Sequence, residues 1–238
     1  MSAYQRSYTE LIQSVRDNVN EQTTDAFSDA LIARFVNRAK DRVWNEVRRA
    51  QQDYFLKSLA STAGSQTLLG QTYAASSLQI TAGATELTLP HDLVAVKYIE
   101  AITSGYETVK FRHVDLAEAE FRRLREITTN STPTEFVWDV INERTFIFAP
   151  TSDTVLDTRL FYFFKIGDLV SGDTLQMPPP LDHGVEAYAT SELLLGDYAP
   201  EAAAWEQKGR SWVSEFLGAT FRQSTDPVIV ESADAFAG

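Results

Sequence analysis

Cysteine is absent from this sequence of 238 residues, and histidine occurs only three times. The lack of cysteine excludes disulfides, thiolate metal ligands and a cysteine nucleophile. His91, His113 and His183 are widely spaced and form no H-E-x-x-H pattern, so each is interpreted as a structural or solvated histidine. The sequence therefore predicts neither a metal site nor a cofactor.

Long apolar runs are also missing. The longest apolar cluster, Leu160–Phe164, has only the length of a strand, whereas a helix that spans a bilayer needs roughly 20 apolar residues. The first residues show no basic patch followed by an apolar run, so we expect no signal peptide. The sequence predicts a protein without membrane association.

Catalytic motifs are equally scarce. The sequence has no Gly-rich phosphate-binding loop and no G-x-S-x-G nucleophile turn. Asp115, Glu118 and Glu120 are close in sequence, as are Asp139 and Glu143, and glycoside hydrolysis requires two nearby carboxylates. Among 33 acidic residues such proximity arises by chance. A solvated acidic surface is therefore favoured, and no catalytic residue is predicted.

Positive charge is in deficit. Lys and Arg number 21 against 33 Asp and Glu, which gives a formal net charge of −12. A surface this acidic repels phosphate groups at long range, which disfavours sequence-specific DNA binding. The basic positions alternate with acidic ones, so ion pairs within a helix or with an acidic neighbouring subunit are their expected role.

Two helices are predicted at the N-terminal end. Ser7 and Glu10 match a capping box at the start of the first helix, and Ser28 is a candidate cap for the second. The second helix has an apolar stripe with a residue at every fourth position. The stripe consists of Leu31, Phe35, Ala39, Val43 and Val47, with Ile32 and Val36 beside them.

Candidate subunit-contact residues lie outside this stripe. Trp44 is one position off it and is the best candidate for an exposed aromatic residue, whereas Trp212 falls on an apolar helix face and is expected in the core. Tryptophan and arginine are enriched in interface hot spots. We therefore predict a subunit interface at Trp44, Arg34, Arg38 and Arg42.

The middle of the chain changes to a strand pattern from about Tyr54. Several segments alternate apolar with polar residues or read as long apolar strands. These segments are 78–80, 87–89, 94–98 and 155–165. Aromatic strands flank Asn142 and Glu143, which suit a hairpin turn. Residues 116–124 predict one short helix inside this β-rich region.

Helical spacing returns after Pro178. One helix is predicted to run to about Leu195, and Pro200 opens a last helix for which Gly218 is a plausible C-cap. Residues 222–238 lack any period and contain no basic residue after Arg222. We expect this segment to be disordered unless it is bound.

These patterns predict an α+β fold. Neither helix pair can bury its apolar stripe alone, so the N- and C-terminal pairs are expected to form a four-helix bundle. An antiparallel β-rich module is inserted between the pairs, and an extended C-terminal tail follows them. The predicted boundaries are 1–53, 54–177, 178–221 and 222–238.

The order of these segments resembles the adaptor, or head-to-tail connector, proteins of tailed bacteriophages. The resemblance covers roughly Tyr8 to Phe221. It rests on a helix that runs to a tryptophan, a strand that closes on Leu-Pro, and a Thr-Pro segment followed by an aromatic hairpin that ends in proline. An aromatic strand and a proline-led helix pair complete it. The segments are Leu31–Trp44, Leu87–Pro90, Thr132–Trp138, Thr145–Pro150, Leu160–Phe164, Pro178–Leu195 and Pro200–Leu217.

The resemblance implies a structural virion protein and not an enzyme. Family members form a dodecameric ring below the portal protein, receive the tail nozzle or tail-tube protein on the other side, and continue the DNA channel. The implied location is the virion neck, after assembly in the host cytoplasm. An acidic channel wall would let DNA pass without specific binding. The C-terminal tail would order on the portal, with Val228, Ile229, Val230 and Phe236 as apolar anchors.

Other functions remain open at this point. A stopper or tail-completion ring protein of the same virion would bind another ring and not the portal. A small glycan hydrolase would lose activity on mutation of one carboxylate. A carbohydrate- or protein-binding module could be built on the β region, but it does not explain the flanking helix pairs.

Overall fold

A computed structural model describes residues 6–19, 27–50, 55–127, 132–195 and 198–224. Within these residues the chain contains five α-helices, nine strands and one short 3-10 helix, so the predicted α+β class is confirmed. The helices are α1 (Tyr8–Asn18), α2 (Asp29–Ala50), α3 (Ala119–Arg125), α4 (Leu181–Leu194) and α5 (Ala199–Ser224). The strands are β1 (Leu56–Ala60), β2 (Ser65–Leu68), β3 (Gln71–Ala74), β4 (Glu86–Thr88), β5 (Leu93–Ala101), β6 (Lys110–His113), β7 (Glu135–Ile141), β8 (Thr145–Ala149) and β9 (Thr158–Phe164).

The described residues divide into a helical unit and a β-rich unit. The helical unit contains α1, α2, α4 and α5, and the β-rich unit extends from residue 55 to Gly167. Residues 168–177, which the sequence pattern assigned to the β-rich module, belong to the helical unit. Tertiary hydrogen bonds hold them there, from the Leu175 amide to the Arg6 carbonyl (2.9 Å) and from the Leu169 amide to Asn37 Oδ1 (2.7 Å). These bonds join residues that are far apart in the sequence, so a local sequence pattern does not predict them.

The N-terminal helices begin at the predicted caps. Ser7 Oγ accepts a hydrogen bond from the Glu10 amide (3.3 Å), and the Glu10 carboxylate accepts one from the Ser7 amide (2.7 Å), which confirms the capping box. At the start of α2, Ser28 Oγ accepts a bond from the Leu31 amide (3.3 Å). These side chains satisfy amides that have no partner within the first helical turn.

The buried face of α2 is rotated relative to the predicted stripe. Leu31 and Phe35 are only half-buried, because a strict four-residue spacing drifts around a helix of 3.6 residues per turn. The rotation places Lys40 and Trp44 inside. The buried residues are Ile32, Val36, Ala39, Lys40, Val43, Trp44 and Val47. The Lys40 ammonium is fully buried and pairs with Asp168 at 3.3 Å.

The C-terminal helices approach each other closely at two glycines. A Cβ on Gly209 of α5 would lie 2.6 Å from the ring of Tyr188 on α4, and one on Gly184 of α4 would lie 3.2 Å from Val213 of α5. The predicted C-cap at Gly218 is wrong, because α5 continues to Ser224. One glycine inside a helix costs only about 1 kcal/mol, which a long helix tolerates.

The β-rich unit contains three sheets within its described residues. One has the order β1–β9–β5, one has the order β4–β8–β7–β6, and β2 pairs with β3 as a separate hairpin. The predicted module was antiparallel throughout, but β6 and β7 are parallel. Parallel neighbours require a crossover connection, and α3 lies in the segment that joins them.

The predicted aromatic hairpin is confirmed as β7–β8. Asn142 and Glu143 have φ angles of 51° and 61°, the left-handed conformation of a type I′ turn, which the bond from the Arg144 amide to the Ile141 carbonyl closes (3.3 Å). Two other segments differ from expectation. Leu78 ends the 3-10 helix Ala75–Leu78 and not a strand, because short alternation does not distinguish the two. The strand predicted at 155–165 is shorter, Thr158–Phe164.

A buried carboxylate joins the three-stranded sheet of the β-rich unit to the β4–β5 turn. Asp92 is only 4% exposed, accepts a hydrogen bond from the Tyr162 hydroxyl (2.9 Å) and pairs with the Lys57 ammonium (3.2 Å). A buried charge is tolerated only when it is paired and hydrogen-bonded. These three groups therefore fix β1, β9 and the start of β5 relative to one another.

The two glycines of α5 generate opposite predictions. Gly209→Ala should destabilise the protein by about 1–3 kcal/mol, because its methyl group would overlap the Tyr188 ring. Gly218→Ala should instead stabilise it by about 0.5–1 kcal/mol, because no atom lies within 4 Å of the new methyl group and alanine favours the helix. Urea unfolding of both variants measures the effects. Destabilisation by Gly218→Ala would indicate a C-cap there after all.

Candidate functional site on the polar face of α2

The sequence-predicted interface residues Arg34, Arg38 and Arg42 all lie on α2. Successive members are four residues apart, so they occupy one side of the helix. Two of them are exposed and Arg42 is half-buried. The predicted tail anchors Val228, Ile229, Val230 and Phe236 lie outside the described residues.

Arg42 is the centre of a charge network between α2, α4 and α5. Its guanidinium donates to both carboxylate oxygens of Glu206 on α5, one of them at 2.9 Å, and to Glu46 one turn along α2 at 3.1 Å. The same guanidinium lies 3.8 Å from the ring centroid of Tyr188, whose hydroxyl donates to Glu46 at 3.0 Å. Arg210 adds a second cation to Glu206 at 3.1 Å. The planar guanidinium thus bonds at its edge and stacks on its face.

The electrostatics of this network follow from its geometry. The hydrogen bond with Glu206 raises the pKa of Arg42, and the same bond lowers the pKa of Glu206. Burial raises the pKa of Tyr188, so its hydroxyl remains a neutral donor to Glu46. These three pKa shifts keep Arg42, Glu206 and Tyr188 in the protonation states that their bonds need. The network therefore stabilises the helical unit and offers no group poised for proton transfer.

Arg34 and Arg38 differ from Arg42, because their side chains are exposed. Their guanidinium carbons lie 5.4 and 5.8 Å from the ring centroid of Phe35. Arg38 also pairs with Glu192 of α4 at 3.5 Å, but its side chain is 61% exposed. Exposed ion pairs contribute little to stability. These two cations are available for contact with an acidic partner surface.

The two tryptophan predictions are both wrong. Trp44 is 7% exposed and lies under the Arg48 guanidinium, 5.0 Å from its ring centroid, because the buried face of α2 is rotated towards it. Trp212 of α5 is 36% exposed and packs at 5.1 Å against the exposed ring of His183. The core position on that face of α5 is taken by Val213. The exposed tryptophan among the described residues of the helical unit is therefore Trp212, and Tyr198 is a second exposed aromatic residue.

The acidic clusters of the sequence have structural partners. Glu120 bonds to Arg112, which also holds Glu135, and this hydrogen bond lowers the pKa of Glu120. Asp139 accepts bonds from the Leu116 and Val140 amides. In the part of the chain that the structure describes, no group of three or more His, Cys, Asp or Glu is placed to hold a metal ion. Glu120 is therefore used in an ion pair, and Asp139 accepts bonds from backbone amides.

An open groove in the β-rich unit was not predicted from the sequence. It has a volume of about 760 Å³ and lies beside β5, between that strand and β6–β7. Its lining is mainly apolar, with Val94, Val96, Trp138 and Val140, and Lys97, His113 and Glu143 add polar groups. Strand alternation predicts which residues face inward, but the space left between two sheets depends on their packing.

The fold and the site define an α+β protein whose polar side chains hold helices and strands together. The family model described as SU10 adaptor protein matches residues 6–230. The chain belongs to this family, and it is therefore a phage adaptor protein, a virion component of the head–tail junction.

A comparison with curated proteins found no match to the chain. Among the residues that the structure describes, none of the helices combines the length and the apolar character needed to cross a bilayer.

The Arg42–Glu206 pair generates a pH-dependent prediction. Glu206→Gln should lower the free energy of unfolding at pH 7 by about 1–3 kcal/mol, because it removes a charge-assisted bidentate bond. The pKa of Glu206 is lowered in the folded state. Its contribution is therefore fully present above the unfolded pKa of about 4.3 and is lost as the pH falls through the lower folded pKa.

Urea unfolding at a series of pH values tests this prediction. The difference between wild type and Glu206→Gln should shrink as the pH is lowered below about 4.3. Glu215→Gln, an exposed position on the same helix, is the control and should change stability by less than about 0.5 kcal/mol. A difference that stays constant or grows in acid would show that Glu206 does not act through its charge.

Proposed function

We propose that this protein is a ring-forming adaptor subunit that joins the portal to the tail and continues the DNA channel. The observation that carries the proposal is the family match over residues 6–230, which includes both units. The subunit assembles in the host cytoplasm and acts in the virion neck. Its partners are the portal protein, the tail nozzle or tail-tube protein, and further copies of itself, most simply as a dodecamer.

The helical unit is suited to the portal side of such a ring. Contacts join α1, α2, α4 and α5, which supports the proposal of a four-helix bundle built from the two ends of the chain. Because the bundle includes both terminal helix pairs, the C-terminal tail leaves from it. The β-rich module, which lies between the two helix pairs in the sequence, faces the tail or the outside in this proposal.

Subunit contacts in the ring are assigned to the exposed cations of α2. Arg34 and Arg38 are exposed, whereas Arg42 and Trp44 are used within the subunit. A neighbouring copy carries a net charge of −12 and supplies carboxylates for such cations. Ring interfaces are heterologous, so the acceptor surface lies elsewhere on the neighbour.

The role proposed here involves no catalytic step. In each of the two acidic clusters one carboxylate is already bonded, Glu120 to Arg112 and Asp139 to backbone amides. The acidity of the chain supports passage of DNA through the ring without capture, because each phosphate neutralised by a cation would add affinity.

Native mass spectrometry with the portal protein of the same genome tests the proposed function. We expect many copies of the chain on one portal ring, loaded from a free monomer or small oligomer. The loading should reach a fixed stoichiometry as the chain is titrated. Absence of loading at every concentration would overturn the adaptor role and favour a stopper or tail-completion protein.

The tail anchors generate a separate prediction. Deletion of residues 225–238 should abolish portal loading, because it removes Val228, Ile229, Val230 and Phe236. The unfolding midpoint should not change. Deletion of residues 232–238 removes only Phe236 among the anchors and should weaken loading partially. If the longer deletion loads like the full chain, the assignment of portal binding to the tail is wrong.

A further inference from the structure

The β2–β3 hairpin is a separate small element of the β-rich unit. Its four cross-strand pairs run from Ser65–Ala74 to Leu68–Gln71, and neither strand pairs with any other strand among the described residues. Leu68 and Tyr73 anchor it in the core, and the Tyr73 hydroxyl donates to the Thr88 carbonyl at 2.6 Å. An isolated two-stranded sheet is marginally stable in water. The anchoring therefore holds the hairpin in place while its other residues remain exposed.

The stretch of chain that contains the hairpin carries no charge. No Asp, Glu, Lys, Arg or His occurs between Lys57 and Glu86, although charged residues make up 23% of the chain. Exposed positions in this stretch are instead Ser, Thr, Gln, Gly, Ala and Leu. Free strand edges are normally protected by lysine, proline or bulges, and this hairpin has none of these. Depletion of charge is also the compositional mark of an interface centre.

The tip of the hairpin presents an apolar side chain in an unusual backbone conformation. Leu69 has a φ of 50° and Gly70 one of 73°, the pattern of a type I′ turn. Asparagine and aspartate favour the first of these positions, whereas leucine is rarely found there. Leu69 is nevertheless 43% exposed, although its Cδ2 lies against Gly167 of the same unit. A rarely used conformation that displays an apolar group points to a contact outside the subunit.

The groove beside β5 has the complementary character. β5 pairs only with β9 among the described strands, and its pairing register skips at Val94 and at Lys97. Bulges of this kind re-aim side chains, and both residues line the groove. Val94 is 39% exposed, and the charges of the lining, Lys97 and Glu143, are opposite. The groove is therefore apolar and close to neutral.

We propose that Leu69, at the tip of the β2–β3 hairpin of one copy, occupies the groove beside β5 of a second copy of this chain. Two copies that each carry a net charge of −12 repel each other. The repulsion is weakest where the facing surfaces are uncharged or carry balanced charges, and the hairpin and the groove are such surfaces. Donor and acceptor differ, so the contact is head-to-tail and propagates around a ring. The inference deepens the proposed function, because it supplies a subunit contact in the β-rich unit.

Cross-linking between two different single-cysteine chains tests the contact. The chain contains no cysteine, so Thr67→Cys on the hairpin and Val94→Cys in the groove introduce the only thiols. The two full-length variants are mixed, with and without the portal protein, and treated with a short bis-maleimide reagent. We expect a cross-linked heterodimer of the two variants in excess over either homodimer. Ser104→Cys, an exposed turn position, replaces Val94→Cys as the control and should give little product.

The outcomes separate this inference from the proposed function. Normal loading on the portal without the heterodimer overturns the hairpin contact and leaves the adaptor role intact. The heterodimer without portal loading supports the contact and overturns the adaptor role. If the chain neither loads on the portal nor forms the heterodimer, both the adaptor role and the hairpin contact are overturned.

A second variant distinguishes docking from a purely structural role. Leu69→Asn creates the Asn-Gly turn that type I′ hairpins prefer, which offsets the lost contact with Gly167, so the melting temperature should change little. Loss of the apolar tip should raise the concentration needed for half-maximal heterodimer formation on the order of tenfold or more, measured with the same cysteine pair. Val155→Asn, an apolar position 46% exposed in the same unit, should leave it unchanged. Unaltered association of Leu69→Asn would refute the docking role of the tip.

Discussion

The close approach of α4 and α5 is the constraint on which the helical unit depends. Only a glycine at 209 leaves room for the Tyr188 ring, and only with that ring in place does the Arg42 guanidinium stack on it while bonding to Glu206. The two interactions are coupled, because the ring that fills the gap above Gly209 also donates its hydroxyl to Glu46. Residues from the two ends of the chain thereby meet in one network.

In the β-rich unit, too, a tyrosine hydroxyl and an ion pair meet at one carboxylate and fix neighbouring elements. Asp92 is buried, yet it is satisfied by Tyr162 and Lys57, so a charge fixes one end of the three-stranded sheet. Throughout the described residues, polar side chains near the elements serve as caps, ion pairs and buried bonds. This use of polar side chains suits a structural role, since a subunit of a virion junction must hold its shape while its exposed surfaces contact partners.

The distribution of charge connects the fold to the proposed assembly. An acidic chain favours passage of DNA over its capture, but it also makes contact between identical copies unfavourable. The exposed Arg34 and Arg38, the uncharged β2–β3 hairpin and the nearly neutral groove beside β5 are the surfaces where that cost is lowest. The proposed contacts between copies use these surfaces.

The sequence by itself determined the local features of this protein: the Ser7–Glu10 capping box, the helix starts, the Asn142–Glu143 turn and the α+β class. Each depends on residues within a few positions of one another, or on a regular period. Tertiary structure decided what depends on distant partners. The burial of Trp44 follows from the rotation of α2, the exposure of Trp212 follows from Val213 facing α4, and residues 168–177 join the helical unit through bonds to Arg6 and Asn37. The groove beside β5 exists only because two sheets pack with space between them, and no pattern along one chain records that space.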